Sequence, residues 1–280
     1  MHRWIITHQD RVNLDEIDNS EEKILFNQFQ AEIEAEKHSW NHTHSSLGYG
    51  GTVISVTDDI QVCEDLCCEI SEQIETILIP GCGSKTHLQQ YIVSNYPHIK
   101  SIYCTDWSQD AIQIAEREFS HNKITYIVED STQLSFESSQ FDYVITSNSV
   151  LSSNDLANRR MIQEFYRVLK PAGKLKGLFP SVYFAVEIAY LDQRFSNLIT
   201  DGSINIAKST LYEPKNDQVQ ILYTPLRLKQ IFEIAGFKRK MFEVYFLDNP
   251  HFLAENERIY HISPDSGLCV WEFMVTFIKE

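Results

Sequence analysis

The sequence predicts an α/β fold, a largely parallel sheet covered on both faces by helices, and three observations carry that expectation. Between residues 57 and 180 short apolar, β-rich runs alternate with amphipathic stretches at helical spacing. Residues Ile77-Leu-Ile-Pro-Gly-Cys-Gly83 end one such run in a glycine turn, after which Leu88, Tyr91 and Ile92 continue at helical spacing. Each later run ends in polar residues, which a parallel sheet gathers along one rim.

Read in order, the elements are helix 58–74, strand 76–80, helix 85–95, strand 100–105, helix 109–120, strand 123–128, strand 142–147, helix 155–170 and strand 174–179. The turn at Pro80-Gly81-Cys82-Gly83 suits a nucleotide-type cofactor. Gly81 can take positive φ, Gly83 has no Cβ, and the following helix directs N–H groups at a bound polar group. A dinucleotide fold would place a third glycine at position 86, where this chain has Thr86. Asp106 ends the next run 25 residues beyond Gly81, the distance at which a βαβ unit sets a carboxylate against ribose hydroxyls. Glu129-Asp130 ends the third run at the adenine end of the same crevice, and Ser147-Asn148 ends the fourth.

With these motifs in this order, the chain resembles the class I S-adenosylmethionine-dependent methyltransferases over residues 57–180, more weakly to the C-terminus. Ile77 to Gly83 looks like the family's first motif, Asp106-Trp107-Ser its ribose-binding strand end, and Glu129-Asp130-Ser131 its adenine-binding strand end. Phe141-Asp142-Tyr-Val and Arg167 to Gly173 look like the fourth strand and the turn into the fifth. The resemblance implies a Rossmann-like seven-stranded sheet with an antiparallel C-terminal edge. It also implies S-adenosylmethionine as cofactor, S-adenosylhomocysteine as product, and cofactor contacts from Pro80, Gly81, Cys82, Gly83, Asp106, Trp107, Asp130, Ser131, Ser147 and Asn148. Two departures stand out: Ile79 replaces the family's usual acidic residue, and Lys85 its third glycine.

Beyond Pro180, Val182 to Phe195 reads as an aromatic-rich helix, and residues 198–220 as polar, irregular chain with one short strand. Pro225 near its start and Gly236 at its stop delimit a last helix. Strands 239–247 and 269–278 then form an antiparallel hairpin at the edge of the sheet. Residues 181–222 are thus an insertion and expected substrate lid in a domain spanning 57–280, preceded by an N-terminal cap at 1–56. In that cap a helix runs from Ser20 to about His38, followed by His42, His44 and the Gly-flanked Tyr49. His44 and Tyr49 are candidate catalytic groups, and no metal site is expected from the histidine spacing.

A formal net charge of −15 disfavours nucleic-acid partners, since phosphate neutralisation needs clustered Lys and Arg. No run of about 18 apolar residues exists, and the N-terminal apolar run is too short for a signal peptide, so no membrane association and a cytoplasmic location are expected. Six cysteines match no zinc or disulfide framework. Cys63 and Cys67 lie on the stripe Ile60, Cys63, Cys67, Ile70, Ile74, as small buried hydrophobes would.

The leading functional reading is methyl transfer to a nitrogen or oxygen atom of a small molecule, in specialised metabolite biosynthesis. A peptide or protein lysine or carboxylate is the alternative acceptor. A third reading, a binding protein that keeps the fold without catalysis, rests on Ile79 and Lys85. A nicotinamide dehydrogenase would lack its third glycine and a Tyr-x-x-x-Lys pair. The residues leave the acceptor and the oligomeric state open.

Overall fold

The computed structural model describes residues 31, 32, 34–36, 56–191, 196–213, 218–260 and 263–280. Its strands are β1 (Thr76–Pro80), β2 (Ser101–Asp106), β3 (Ile124–Val128), β4 (Phe141–Ser147), β5 (Leu169–Pro180), β6 (Ile204–Asn205), β7 (Thr210–Glu213), β8 (Gln218–Ile221), β9 (Phe237–Leu247) and β10 (Val270–Lys279). Seven of them form one sheet in the order β3-β2-β1-β4-β5-β10-β9. The first five are parallel, and β10 runs antiparallel between β5 and β9. Strand order reverses between β1 and β4, the switch point where ligands enter a doubly wound sheet at the carboxyl ends of its strands.

The helices are α1 (Ile60–Cys67), α2 (His87–Asn95), α3 (Gln109–Glu118), α4 (Asp155–Val168), α5 (Val182–Leu191), α6 (Asn197–Thr200), α7 (Pro225–Ala235) and α8 (Pro250–Tyr260). Side-chain alternation along the strands divides the interior in two. One face packs Leu78, Val144, Leu175 and Phe273 with Phe165 of α4 and Phe232 of α7. The opposite face packs Ile77, Ile79, Tyr143, Leu178 and Met274 with Leu66 of α1, Ile92 of α2 and Phe252 of α8. Phe232 also stacks on Phe277, with ring centroids 4.0 Å apart.

The expected strands and helices of the first half recur with small changes at their ends, and three expectations need correction. Helix 58–74 is shorter, because Asp59 caps it by accepting a hydrogen bond from the Gln61 N–H and the chain turns again after Cys67. Ile60 is therefore exposed, while Ile70 and Ile74 remain buried in turns. The chain between β5 and α7 holds a second, three-stranded antiparallel sheet, β6-β7-β8, where one short strand was expected. Its strands are too short for a clear period, and Tyr212 and Val219 are exposed. Helix α8 separates β9 from β10, where a hairpin was expected. Asn249 starts it by accepting from the Phe252 N–H, with Pro250 in the first turn.

All six cysteines are free; Cys63, Cys67 and Cys104 are buried. Burial pushes the Cys63 thiol up to about 12, so it behaves as a small hydrophobe. Among the described residues no helix is long and apolar enough to cross a membrane.

At the edge remote from the carboxyl rim, carboxylates clamp the layers. Asp142 accepts from the N–H groups of Glu75 and Thr76 and pairs with Lys170 at 2.6 Å. Glu69, just beyond α1, pairs with Lys174 of β5 at 3.0 Å and with Lys240 of β9, and accepts from the Thr276 hydroxyl of β10. Burial alone would raise the Glu69 carboxyl, but the hydrogen bonds from Lys240, Lys174 and Thr276 outweigh it and hold it down to about 2. The depressed value stabilises the fold above the unfolded carboxylate range, and that contribution is lost as pH falls toward 2. Glu69→Gln is expected to lower stability at pH 7 by ~1–2 kcal/mol, the partly exposed lysines screening the rest. In denaturant titrations the gap to wild type should narrow as pH drops from about 4.5 toward 2; a constant gap would contradict this assignment.

Candidate active site

The site is assembled from the turns that leave the carboxyl ends of β1, β2 and β4. After Pro80 the chain must turn sharply into α2, and Gly81 and Gly83 both do so with φ of +62°. The Cys82 N–H reaches across to the Thr105 carbonyl at 2.9 Å, extending the β1–β2 pairing into the turn. A Cβ at Gly81 would lie 2.3 Å from Cβ of Ser149, so the glycine also lets the turn after β4 close onto the turn after β1.

Asp106 ends β2 with only 7% of its surface exposed. One carboxylate oxygen accepts from the Gly83 N–H at 3.0 Å, the other from the Ser108 N–H at 2.9 Å. Two backbone N–H groups thus fix the carboxylate as an acceptor between the turns that follow β1 and β2. Ser108 caps α3 by accepting from the Ala111 N–H, and the Asp106 carbonyl accepts from the Glu129 N–H. Asp130 accepts from the N–H and hydroxyl of Thr132, which leaves half-buried Ser131 at the tip of the turn beyond β3. Trp107 is half-buried against the core cluster that contains Leu78 and Val150.

The departures from the first motif have local explanations. Ile79 is buried in the core face formed with α1 and α2, where an unpaired carboxylate would be costly. The backbone there therefore supplies no acid to the cofactor. Lys85 lies 4.0 Å from Asp58, and His87 at the start of α2 lies 3.0 Å from the same carboxylate. That anion offsets two basic residues placed at a helix N-terminus.

Strand register places the remaining groups. Ser147 pairs with Leu178, and Leu178 with Met274, so Ser147 lies on the same side of the sheet as Glu272, two residues before Met274. Asn148 adopts φ of +51°, and its side-chain N–H donates to Glu272 at 2.8 Å, over the end of β5. Three atoms of this group are buried without a hydrogen-bonding partner: the Ser147 hydroxyl, the Asn148 side-chain oxygen and the second Glu272 oxygen. Burial raises the Glu272 carboxyl to about 7, and the Asn148 hydrogen bond only partly offsets it.

Sequence reading missed Glu272. The signal was a single acid within the apolar run Val270-Trp271-Glu272-Phe273-Met274-Val275, in a strand flanked on both sides. It also missed that helical residues Glu32 and Glu36 lie on the loop after β4. Glu36 accepts from the N–H and hydroxyl of Ser153, and Glu32 from the Asn154 amide at 2.6 Å. His44 and Tyr49 lie outside the described residues. Of the expected site residues, the structure gathers Gly81, Cys82, Gly83 and Asp106 in one cluster, and Ser147 and Asn148 beside Ser149 at its border. Among the described residues no group of His, Cys, Asp and Glu is arranged to hold a metal ion.

A family model described as a methyltransferase domain matches residues 77–173, the span from β1 to the start of β5. Among curated proteins none matches the chain. Several solved structures share the fold. An S-adenosylmethionine-dependent methyltransferase from Methanosarcina mazei is 21% identical with a TM-score of 0.57, covering 77% of this chain and 96% of that one. One from Listeria monocytogenes is 16% identical with a TM-score of 0.56, covering 78% and 96%. One from Mesorhizobium loti is 14% identical with a TM-score of 0.54, covering 80% and 100%. Residues 77–173 thus match a methyltransferase domain, and the sheet built around them has the fold of these S-adenosylmethionine-dependent methyltransferases.

Two outcomes check this geometry. Gly81→Ala should destabilise the protein by ~1–3 kcal/mol, through overpacking against Ser149 and a left-handed alanine. Adding Ser149→Gly should recover part of that loss in thermal melts, whereas strictly additive losses would show that the two turns do not touch. Glu272→Gln should raise the melting temperature at pH 8 and change it little at pH 5. A raised carboxyl value contributes stability that is complete below the unfolded range and lost as pH climbs through about 7. Equal shifts at both pH values would contradict the buried, unpaired carboxyl.

Proposed function

We propose that the protein transfers the methyl group of S-adenosylmethionine to a nitrogen or oxygen atom of a small molecule, in specialised metabolite biosynthesis. The observation that carries the small-molecule reading is the pair of contacts from Glu32 and Glu36 to Asn154 and Ser153. They lay N-terminal chain along the rim a few residues from Asn148, which favours an enclosed acceptor over an open groove for a polypeptide. Phe184 of α5, at the start of the insertion, packs against the same core face as Tyr245 and Met274. Residues 1–56 and 181–222 then act as cap and lid of a domain spanning 57–280. Within that cap, His44 and Tyr49 are the proposed catalytic groups.

The residues present fit the cofactor. The Asp106 carboxylate, held by two backbone N–H groups, would accept from the ribose hydroxyls, and Asp130, Ser131 and Trp107 would meet the adenine ring. The turn Pro80–Gly83 leaves backbone free to approach, and Ser147 and Asn148 offer unpartnered polar atoms at the reacting end. Bound S-adenosylmethionine supplies an electrophilic methyl group on a sulfonium. The chain's part is to hold the acceptor in line with it and exclude water, effects able to supply on the order of 7–11 kcal/mol of a barrier.

Purified protein should melt at higher temperature with S-adenosylmethionine or S-adenosylhomocysteine and not with NAD. At a ligand concentration about 100 times the dissociation constant, the gain corresponds to about 2.7 kcal/mol. Silence toward the first two would favour a binding module that keeps only the fold, and a response to NAD would favour a dehydrogenase.

A further inference from the structure

We infer that Glu272 and Asn148 form the acceptor-binding end of the site and that the acceptor they take is an amine, deprotonated by Glu272. The inference rests on the methyltransferase reading and deepens it by naming the substrate class.

β10 is the second neighbour of β4 and the third of β1, so Glu272 stands roughly 10 Å from β4 and roughly 14 Å from β1. It is too far from the glycine turn to replace the missing acid at Ile79. Asn148 bridges the gap from the β4 end, placing both residues beyond the cofactor crevice on the acceptor side. Glu272 is only 5% exposed, and one of its oxygens has no partner.

The chemistry of the unpartnered atoms selects the ligand. The Asn148 and Glu272 oxygens only accept hydrogen bonds when the carboxyl is ionised, and the Ser147 hydroxyl can also accept. Such a set matches a group with two or three N–H donors. It repels a carboxylate and leaves an alcohol, with one donor, incompletely satisfied.

Among the described residues no basic side chain pairs with Glu272. Across β9, Tyr245 directs its hydroxyl to Asp65 at 2.6 Å. On α5, Glu187 accepts the Trp271 indole N–H. Cys269 and Asp248 border the strand start, and α8 contributes Phe252 to the same core face and buries Asn256. Farther along β5, Lys176 is held at Cys68 and Lys174 at Glu69. An incoming ammonium is therefore the missing counter-charge. A carboxyl lifted to about 7 is also matched to removing a proton near neutral pH.

The ammonium gives one proton to the Glu272 carboxylate and becomes a neutral amine. Its nitrogen lone pair forms the bond to the methyl carbon as the carbon–sulfur bond breaks, with that electron pair staying on sulfur. The methylated ammonium leaves, and the Glu272 carboxyl returns its proton to solvent.

The test uses the full chain saturated with S-adenosylhomocysteine. Ethylamine, benzylamine and phenethylamine, each paired with its matching alcohol and carboxylate, are titrated by calorimetry from pH 6 to 9 into wild type, Glu272→Gln and Glu272→Asp. The expected result is measurable binding of at least one amine above its paired alcohol and carboxylate, tightening through about pH 7 as Glu272 ionises. Glu272→Gln should weaken it at least tenfold and abolish that pH dependence, and Glu272→Asp should restore part of it. Affinity for S-adenosylhomocysteine should stay within about twofold in all three, which separates loss of the acceptor site from misfolding. Preference for alcohol or carboxylate, an unchanged amine affinity in Glu272→Gln, or no amine binding to protein that holds S-adenosylhomocysteine would each overturn the inference. Protein that fails to bind S-adenosylhomocysteine at all would instead overturn the methyltransferase reading on which it stands.

Discussion

The site depends on one carboxylate. Asp106 accepts from the Gly83 N–H on one side and the Ser108 N–H on the other, so it joins the turn after β1 to the turn after β2 while remaining nearly buried. Charge-assisted bonds of this kind are stronger than neutral ones. They fix the positive-φ glycine turn and set the start of α3. The β4 turn is then located by contact, since Ser149 sits where a Gly81 side chain would be.

The two edges of the sheet treat charge in opposite ways. Away from the rim, Glu69 and Asp142 are surrounded by donors, and both carboxyls are held below their ordinary range. There the charges serve as clamps between helix and sheet. At the rim, Glu272 has among the described residues one hydrogen bond, no ion pair and a raised carboxyl, an arrangement that costs stability at neutral pH. Proteins commonly keep such groups only where function uses them. The contrast within one sheet separates the carboxylates that build the fold from the one available for chemistry.

Much of the architecture was legible because the parallel strands are buried on both faces and read as continuous apolar runs. The turn residues at Gly81, Gly83 and Gly236 were equally plain, since each takes positive φ where the chain reverses. What escaped were features with weak period or long reach. The three-stranded sheet of the insertion is built from strands of two to four residues, and α8 was hidden by the expectation of a hairpin despite its Asn249-Pro250 start. Asp106, Ser147 and Asn148 could be named from strand ends, but the Glu272–Asn148 contact spans 124 positions and crosses β5. No local pattern encodes it, although an acid in an otherwise apolar strand marked the place.

The most direct measurement is a crystal structure of the complex with S-adenosylhomocysteine. The account predicts both ribose hydroxyls on the Asp106 carboxylate and the sulfur directed toward Asn148, with Glu272 facing it from the acceptor side. A ligand bound away from the β1–β2 turns, or a sulfur turned from Asn148 and Glu272, would contradict it.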